Sequence, residues 1–274
     1  APVEYALDFA HRLDRGLVRE RNEDRCATLE PAHPPLHLER GCLFVVADGM
    51  GGHAAGDIAA EIAVKTILDG YFADGWPGAE AKLRAVFAAA NSSILRTARD
   101  TDRQGMGAAV VAITVIQERA VVAHLGDARG YLVRDGQTHQ LTTDHSWVQE
   151  RLSAGRLSPD EARGHPYRNV LTRAMGADAD VDPDVTEHAL QPGDVLVLCS
   201  DGLWGQADDT EIGAIVRRIG DAATAADQLV DLALARGGPD NVAVVVVRIG
   251  NPRGSQVAPT LRMETPVRES ESEG

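Results

Sequence analysis

Four aspartates carry the most legible chemistry of this chain. Asp48 closes the apolar run LFVVA before Gly49, and Asp201 follows DVLVLCS before Gly202. Asp127 follows AVVAHLG, and Asp240 stands between Pro239 and Asn241 at the entrance to the run NVAVVVVRI. A single Asp-Gly is ordinarily a turn residue making a local hydrogen bond. Four aspartates at the ends of strand-like runs point to carboxylates converging at one end of a sheet. Oxygen-only ligands select hard ions such as Mg²⁺ or Mn²⁺. Nucleophilic alternatives find no support. Ser200 is not in a G-x-S-x-G elbow, and Cys199 lies in an apolar run rather than in a phosphate loop.

The same stretch also reads as a dinucleotide fingerprint. Gly49-Met50-Gly51-Gly52-His53-Ala54 matches G-x-G-x-x-A between a strand-like run and a helical one, with Asp69 twenty residues on. Two physical objections count against it. Asp48 would set a carboxylate beside a pyrophosphate, where a helix end should attract negative charge. Closely spaced β-rich runs further on also break the βαβ succession such a fold requires.

The elements that must position these acids follow from periodicity. Residues 5–29 read as a strand, a loop and a second short strand, and the proline-rich stretch 31–40 reads as a loop. A helix starts near Ile58 and ends near Gly70. A second spans about 79–100, with Leu83, Val86, Phe87, Ala90 and Ile94 on one face. Runs at 110–116, 120–125 and 130–134 are β-rich with short links, so neighbours in sequence are expected to pair antiparallel. Residues 145–168 form a polar insertion, in which Ser158-Pro159-Asp160-Glu161 is a capping-box start. Strand 194–202, a helix capped by Asp208 and Glu211, a helix over 222–235 and strand 241–249 complete a domain over 1–250. The segment 251–274, rich in Pro, Ser, Glu and Arg, is expected to be a disordered tail.

Composition bounds the function classes. The 274 residues suffice for a full core, and a net charge of −14 argues against nucleic acid as the main partner. No window approaches the ~18 apolar residues of a membrane span. The N-terminal stretch lacks a signal pattern. Cys26, Cys42 and Cys199 are odd in number and widely spaced. They are expected to be reduced, mostly buried thiols in a cytoplasmic protein.

The motifs GLVRERNED (16–24), VVADGMGGHAAGDIA (45–59), GMGAAVVA (105–112), HLGDARGYLVRDG (124–136), LTTDHS (141–146), NVLTRAMG (169–176), LCSDGLW (198–204) and GGPDNVAVVVV (237–247) occur together and in order. In this the chain resembles the metal-dependent serine/threonine protein phosphatases of type 2C in their minimal bacterial form, over about residues 5–250. The resemblance implies an α+β fold: an αββα sandwich of two antiparallel sheets flanked by helices. It implies hydrolysis of phosphoserine and phosphothreonine in proteins by a metal-activated water, without a phosphoenzyme. Two Mn²⁺ or Mg²⁺ ions are implied, with a third, weaker one in bacterial members.

Residue by residue, the resemblance makes Asp48 the bridging carboxylate and the Gly49 carbonyl part of the second ion's site. Asp201 and Asp240 complete the first. Glu23 and Asp24 match acids that hold the second ion directly or through water, and Asp127 matches a ligand of the third, shared with Asp201. Arg19 matches the phosphate clamp. His53 matches the proposed acid for the leaving alkoxide, and otherwise caps a helix or faces solvent. Plainer readings make Arg19 a surface arginine beside Glu20 and Glu23, and Asp127 a turn former. His145 reads as loop chemistry. Ala108-Ala109 stand where many members carry threonines, without loss of an expected ligand. By analogy the enzyme is a monomer that reverses a Ser/Thr kinase and needs no nucleic acid or membrane. A nucleotide-binding oxidoreductase and a phosphoprotein-binding module without turnover are the competing classes.

Overall fold

The computed structural model describes residues 4–31, 34–51, 55–75 and 77–253. The chain opens with β1 (Tyr5–Asp14) and β2 (Asp24–Leu29), then α1 (Pro34–Arg40), β3 (Cys42–Met50), α2 (Ala55–Tyr71) and α3 (Ala79–Asp100). Next come β4 (Gly107–Ile116), β5 (Arg119–Leu125), β6 (Arg129–Arg134) and β7 (Gln137–Gln140), followed by the short helices α4 (Trp147–Ser153) and α5 (Pro159–Arg163). The rest is β8 (Asp184–Ala189), β9 (Val195–Cys199), α6 (Asp201–Trp204), α7 (Asp209–Arg218), α8 (Ala222–Ala235) and β10 (Val242–Pro252).

Two five-stranded antiparallel sheets result, ordered β1-β10-β9-β6-β7 and β2-β3-β4-β5-β8. They pack face to face through Phe44, Val46, Val111, Ile113, Leu196, Leu198, Val245 and Val247. On the outer face of the second sheet, Leu43, Val45 and Ala47 meet Ile67, Leu83 and Phe87 of α2 and α3. On the outer face of the first, Val197, Val244 and Val246 meet Ile212, Val216 and Leu229 of α7 and α8. The αββα sandwich expected from the resemblance is therefore present. Its central strands carry near-continuous apolar runs rather than alternating ones, because both of their faces are covered. Each buried Val or Leu contributes about 1.5–3 kcal/mol, and this core stabilises the sandwich against the charge crowding at its end.

Two expectations need correction, and two elements, β8 and α4, go beyond them. Residues 34–40 form α1, not a loop: prolines at the start of a helix lack only N–H groups that the first turn does not use. The strands from 107 to 134 do not all pair with their sequence neighbours. β4 pairs with β5 and β6 with β7, but β5 and β6 belong to opposite sheets. The chain crosses between the sheets over Gly126 (φ 92°), Asp127 and Ala128. β5 instead pairs with β8, a polar, largely exposed edge strand that carries no apolar alternation. The 145–168 insertion also holds α4, capped by the Ser146 side chain, which accepts from Gln149 N–H. The Ser158 capping box and the one at Asp208–Glu211 form as read. The first residues of the expected 251–274 tail are ordered, since β10 runs to Pro252 and Arg253 pairs with Glu4 and Glu30; the rest, from residue 254, lies outside the described residues. Among those described, no helix is long and apolar enough to cross a membrane.

Candidate metal centre

The strand ends deliver their acids to one cleft. Arg19, Glu23, Asp48, Asp127, Asp201 and Asp240 line a cavity of about 480 Å³ at one end of the paired sheets. Asp48 lies near the end of β3 opposite Ala109 of β4, and the small Ala109 side chain leaves the cleft open. Asp127 sits in the crossover between the sheets, where Trp204 Nε1–H donates to its backbone oxygen at 2.9 Å. Asp201 begins α6, and Asp240 accepts from its neighbour's N–H, Asn241, at 2.8 Å. Glu23 arrives from the loop between β1 and β2. That loop is clasped to the end of β3 through Gly49 N–H to Glu23 O at 3.2 Å.

Gly49 is required by contact. A Cβ there would lie 2.1 Å from the Gly56 carbonyl oxygen and 2.6 Å from that of Glu23. Only a glycine lets the end of β3, the start of α2 and the metal-side loop close on one another, and it leaves the Gly49 backbone at the cleft wall.

Asp24 is placed differently from the other acids. It pairs with Asp48 across β2 and β3, is 1% exposed, and accepts from Ser200 Oγ–H at 2.6 Å without lining the cleft. Ser200 Oγ in turn accepts from Ala243 N–H at 2.9 Å. Asp24 thus stands behind Asp48, in a buried hydrogen-bonded layer under the site.

Electrostatics mark the cluster. Burial, then the charges of Asp24, Asp201, Asp127 and Asp240, raise Asp48 far above the usual carboxylate range. Burial and neighbouring acids push Asp24 and Asp127 up to about 8 and Asp201 to about 6. Glu23 is raised by burial and by Asp57. Carboxylates crowded this way hold protons unless cations lie between them. Their oxygen-only donor set suits a hard divalent ion, so the residues present fit the ions the resemblance implied.

Arg19 is half-exposed at the rim and donates from Nη2 to Asp240 Oδ2 at 2.7 Å. His53 lies outside the described residues. The structure adds Asn241, for which the sequence reading gave no role. Its Nδ2 donates to Arg15 O and Arg21 O, and its Oδ1 accepts from Glu23 N–H, all at 2.8 Å. One buried amide therefore ties down the loop that carries Arg19 and Glu23. Ser200 was likewise unassigned. The signal was present in both cases: each is a polar residue at the tip of an apolar strand, beside a site aspartate. His145 belongs to the flank of the insertion, where Nδ1 accepts from Gly126 N–H at 3.1 Å beside the Asp127 crossover.

The antiparallel sheets exclude the dinucleotide reading, and Asp69 is an exposed partner of Lys65 rather than a ribose ligand. Fold and site define a class: an αββα sandwich with a carboxylate cluster of hard-cation chemistry at one end of its sheets. The family model for protein phosphatase 2C matches residues 19–232, and the chain belongs to that family. It is 38% identical over 265 residues to the serine/threonine protein phosphatase PstP of Mycobacterium tuberculosis, covering 95% of this chain but only 48% of PstP, so it spans about half of that relative's length. It is 36% identical to the serine/threonine phosphatase stp of Listeria monocytogenes, covering 86% of this chain and 93% of stp. A solved PstP catalytic domain in complex with two manganese ions superposes with a TM-score of 0.79 at 36% identity, over 90% of this chain and all of that one.

Proposed function

We propose that this chain is a Mn²⁺- or Mg²⁺-dependent protein phosphatase that hydrolyses phosphoserine and phosphothreonine in proteins, opposing a Ser/Thr kinase. The observation that carries the reading is the meeting of Glu23, Asp48, Asp127, Asp201 and Asp240, from five separate segments, in one cleft with Arg19 at its rim.

Asp48, Asp201 and Asp240 would hold one ion, and Asp48, the Gly49 carbonyl and Glu23 a second. Asp127 with Asp201 would hold a weaker third. When bound, such ions acidify a water and neutralise charge on the phosphoryl oxygens. Everything else falls to the chain's own groups. Asp24 and the Ser200 hydroxyl fix the Asp48 end of β3 from behind, and Asn241 fixes the loop from below. Arg19 uses only Nη2 on Asp240 among the described residues. Its remaining N–H donors are available to take phosphoryl oxygens as a fork. Proton delivery to the leaving Ser or Thr oxygen is assigned to His53 on the family resemblance.

Support for a protein substrate comes from the names of the relatives. The free cysteines, two of them buried, accord with a reducing compartment such as the cytoplasm, and a monomer is the simplest working unit. The deciding assay is phosphate release from phosphothreonine and phosphoserine peptides. Turnover with Mn²⁺ that stops with EDTA is expected. Tight peptide binding without released phosphate would instead make the chain a binding module.

A further inference from the structure

Some 20 Å from the acid cluster, at the opposite end of β3 (six residues at about 3.3 Å each), lies a second group of ligand-type side chains. Cys42 begins β3 and is fully buried, His37 of α1 is 6% exposed, and Glu30 follows β2. One ligand atom from each lies within 4.8 Å of the others. His37 Nε2 is 3.0 Å from Cys42 Sγ and 3.3 Å from Glu30 Oε1.

On the other side of the ring, Glu4 Oε1 stands 2.9 Å from Nδ1. That contact is too poorly aligned to count as a hydrogen bond, so Nδ1 is buried without one. Cys42 Sγ and Glu30 Oε1 thus converge on Nε2 of one buried ring, and a cation taking the place of the thiol proton would meet all three donors at once.

We propose that Cys42, His37 and Glu30 form a thiolate-containing Zn²⁺ site, separate from the acid cluster, that staples α1 to the ends of β2 and β3. The distances are close to those such an ion needs. Tetrahedral zinc, with bonds of about 2.0–2.1 Å to nitrogen and oxygen and about 2.3 Å to sulfur, sets nitrogen and oxygen roughly 3.3 Å apart and nitrogen and sulfur roughly 3.5 Å apart. The first separation is already met, and the second asks Cys42 Sγ to retreat by about half an ångström. Glu4 stands 2.9 Å from the other ring nitrogen, where a carboxylate commonly orients a zinc-bound imidazole, though not aligned for a hydrogen bond here.

Charge agrees as well. Arg253 reaches Glu4 at 2.9 Å and Glu30 at 2.6 Å. With Cys42 as thiolate, its one positive charge leaves two negative charges uncompensated, which a divalent ion neutralises. Binding replaces the thiol hydrogen with the S–Zn bond and releases the proton to solvent. Mixed sulfur, nitrogen and oxygen donors favour Zn²⁺ over the hard ions of the acid cluster.

The test uses Co²⁺ as a spectroscopic substitute on the full chain, because only a thiolate ligand gives an intense sulfur-to-cobalt charge-transfer band in the near ultraviolet. The oxygen-only acid cluster stays silent in that band, so the outcome is independent of whether the phosphatase reading holds. One equivalent of band is expected, displaced by one equivalent of Zn²⁺. It should be lost in Cys42→Ser and His37→Ala, and retained in Cys26→Ser, Cys199→Ser and Asp48→Asn. Cys42→Ser should keep Mn²⁺-dependent turnover while losing the rise in Tm that Zn²⁺ gives the parent chain. Absence of the band in the parent chain would overturn the proposal, as would its survival in Cys42→Ser. An imidazolium simply bridging Glu4 and Glu30 gives that first, negative result. Should Cys42→Ser fail to fold, His37→Gln and the parent titration still decide the matter.

Discussion

Replacing Asn241 with alanine should damage catalysis although the residue is given no contact with substrate. The substitution removes three hydrogen bonds of 2.8 Å, to Arg15 O, Arg21 O and Glu23 N–H, at a position only 4% exposed. At about 1 kcal/mol net for each, less what water recovers at the exposed loop, the cost is roughly 2–3 kcal/mol. Among the described residues the loop is otherwise tied down by Leu17 N–H to Gly238 O, Gly49 N–H to Glu23 O and Arg19 Nη2 to Asp240 Oδ2, so the loss falls on the placement of Arg19 and Glu23. Displacement of positioning groups by about an ångström costs on the order of a hundredfold in rate. We therefore expect kcat/KM on a phosphothreonine peptide, at saturating Mn²⁺, to fall roughly ten- to a hundredfold. The double variant Arg19→Ala/Asn241→Ala should be much less impaired than the product of the single effects, because Asn241 acts through the loop that carries Arg19. Wild-type kcat/KM in Asn241→Ala, or full additivity in the double variant, would refute the reasoning.

Further outcomes follow from the charges. With folded-state pKa values raised to about 6 for Asp201 and about 8 for Asp24 and Asp127, against about 3.9 unfolded, the folded state binds more protons between these limits. Stability of EDTA-treated protein should then be greatest near pH 4 and decline as pH rises through 6 to 8. Saturating Mn²⁺ should flatten that decline, and a pH-independent denaturant midpoint in EDTA would contradict it. Asp48→Asn should abolish turnover yet raise Tm in EDTA at pH 8, because a neutral amide spares the cost of keeping a proton on the buried acid; near-normal turnover would count against the ligand assignment. Arg19→Ala should lower kcat/KM for phosphopeptides with Mn²⁺ binding retained, and an unchanged value would reject the phosphate-clamp role. The buried pair of Arg129 Nη2 and Asp144 Oδ2 at 2.7 Å stacks its guanidinium 3.9 Å over Trp204, whose indole N–H fixes the Asp127 turn. Asp144→Ala should cost about 3–5 kcal/mol in urea unfolding, and a midpoint within error of the parent would show the pair to be dispensable.

The aspartates were legible because each stands at the junction of an all-apolar run and a turn, where a charged residue has no packing reason to be. The two covered sheets were legible for a related reason: runs such as NVAVVVVRI are too uniformly apolar for a sheet with one wet face. What escaped was carried by residues whose local signal points elsewhere. Pro34 and Pro35 read as breakers, whereas their place in the first turn makes them starters. Asp184–Ala189 shows no apolar alternation because an edge strand over solvent needs little apolar content, and its pairing with β5 is fixed only by tertiary packing. The crossover at Gly126–Ala128 is a three-residue link that looks like a hairpin turn until the positive φ of Gly126 turns it into the other sheet. Asn241 and Ser200 act through long-range hydrogen bonds, to residues more than 170 positions away, which no local pattern encodes.

The most direct measurement is anomalous diffraction at the manganese edge from crystals of this protein soaked in Mn²⁺. The expected result is at least two peaks in the cleft, both within bonding distance of Asp48 and one also of Asp201 and Asp240. A cleft without anomalous density at saturating Mn²⁺, its carboxylates unbridged, would contradict the claim that these scattered acids exist to hold divalent cations.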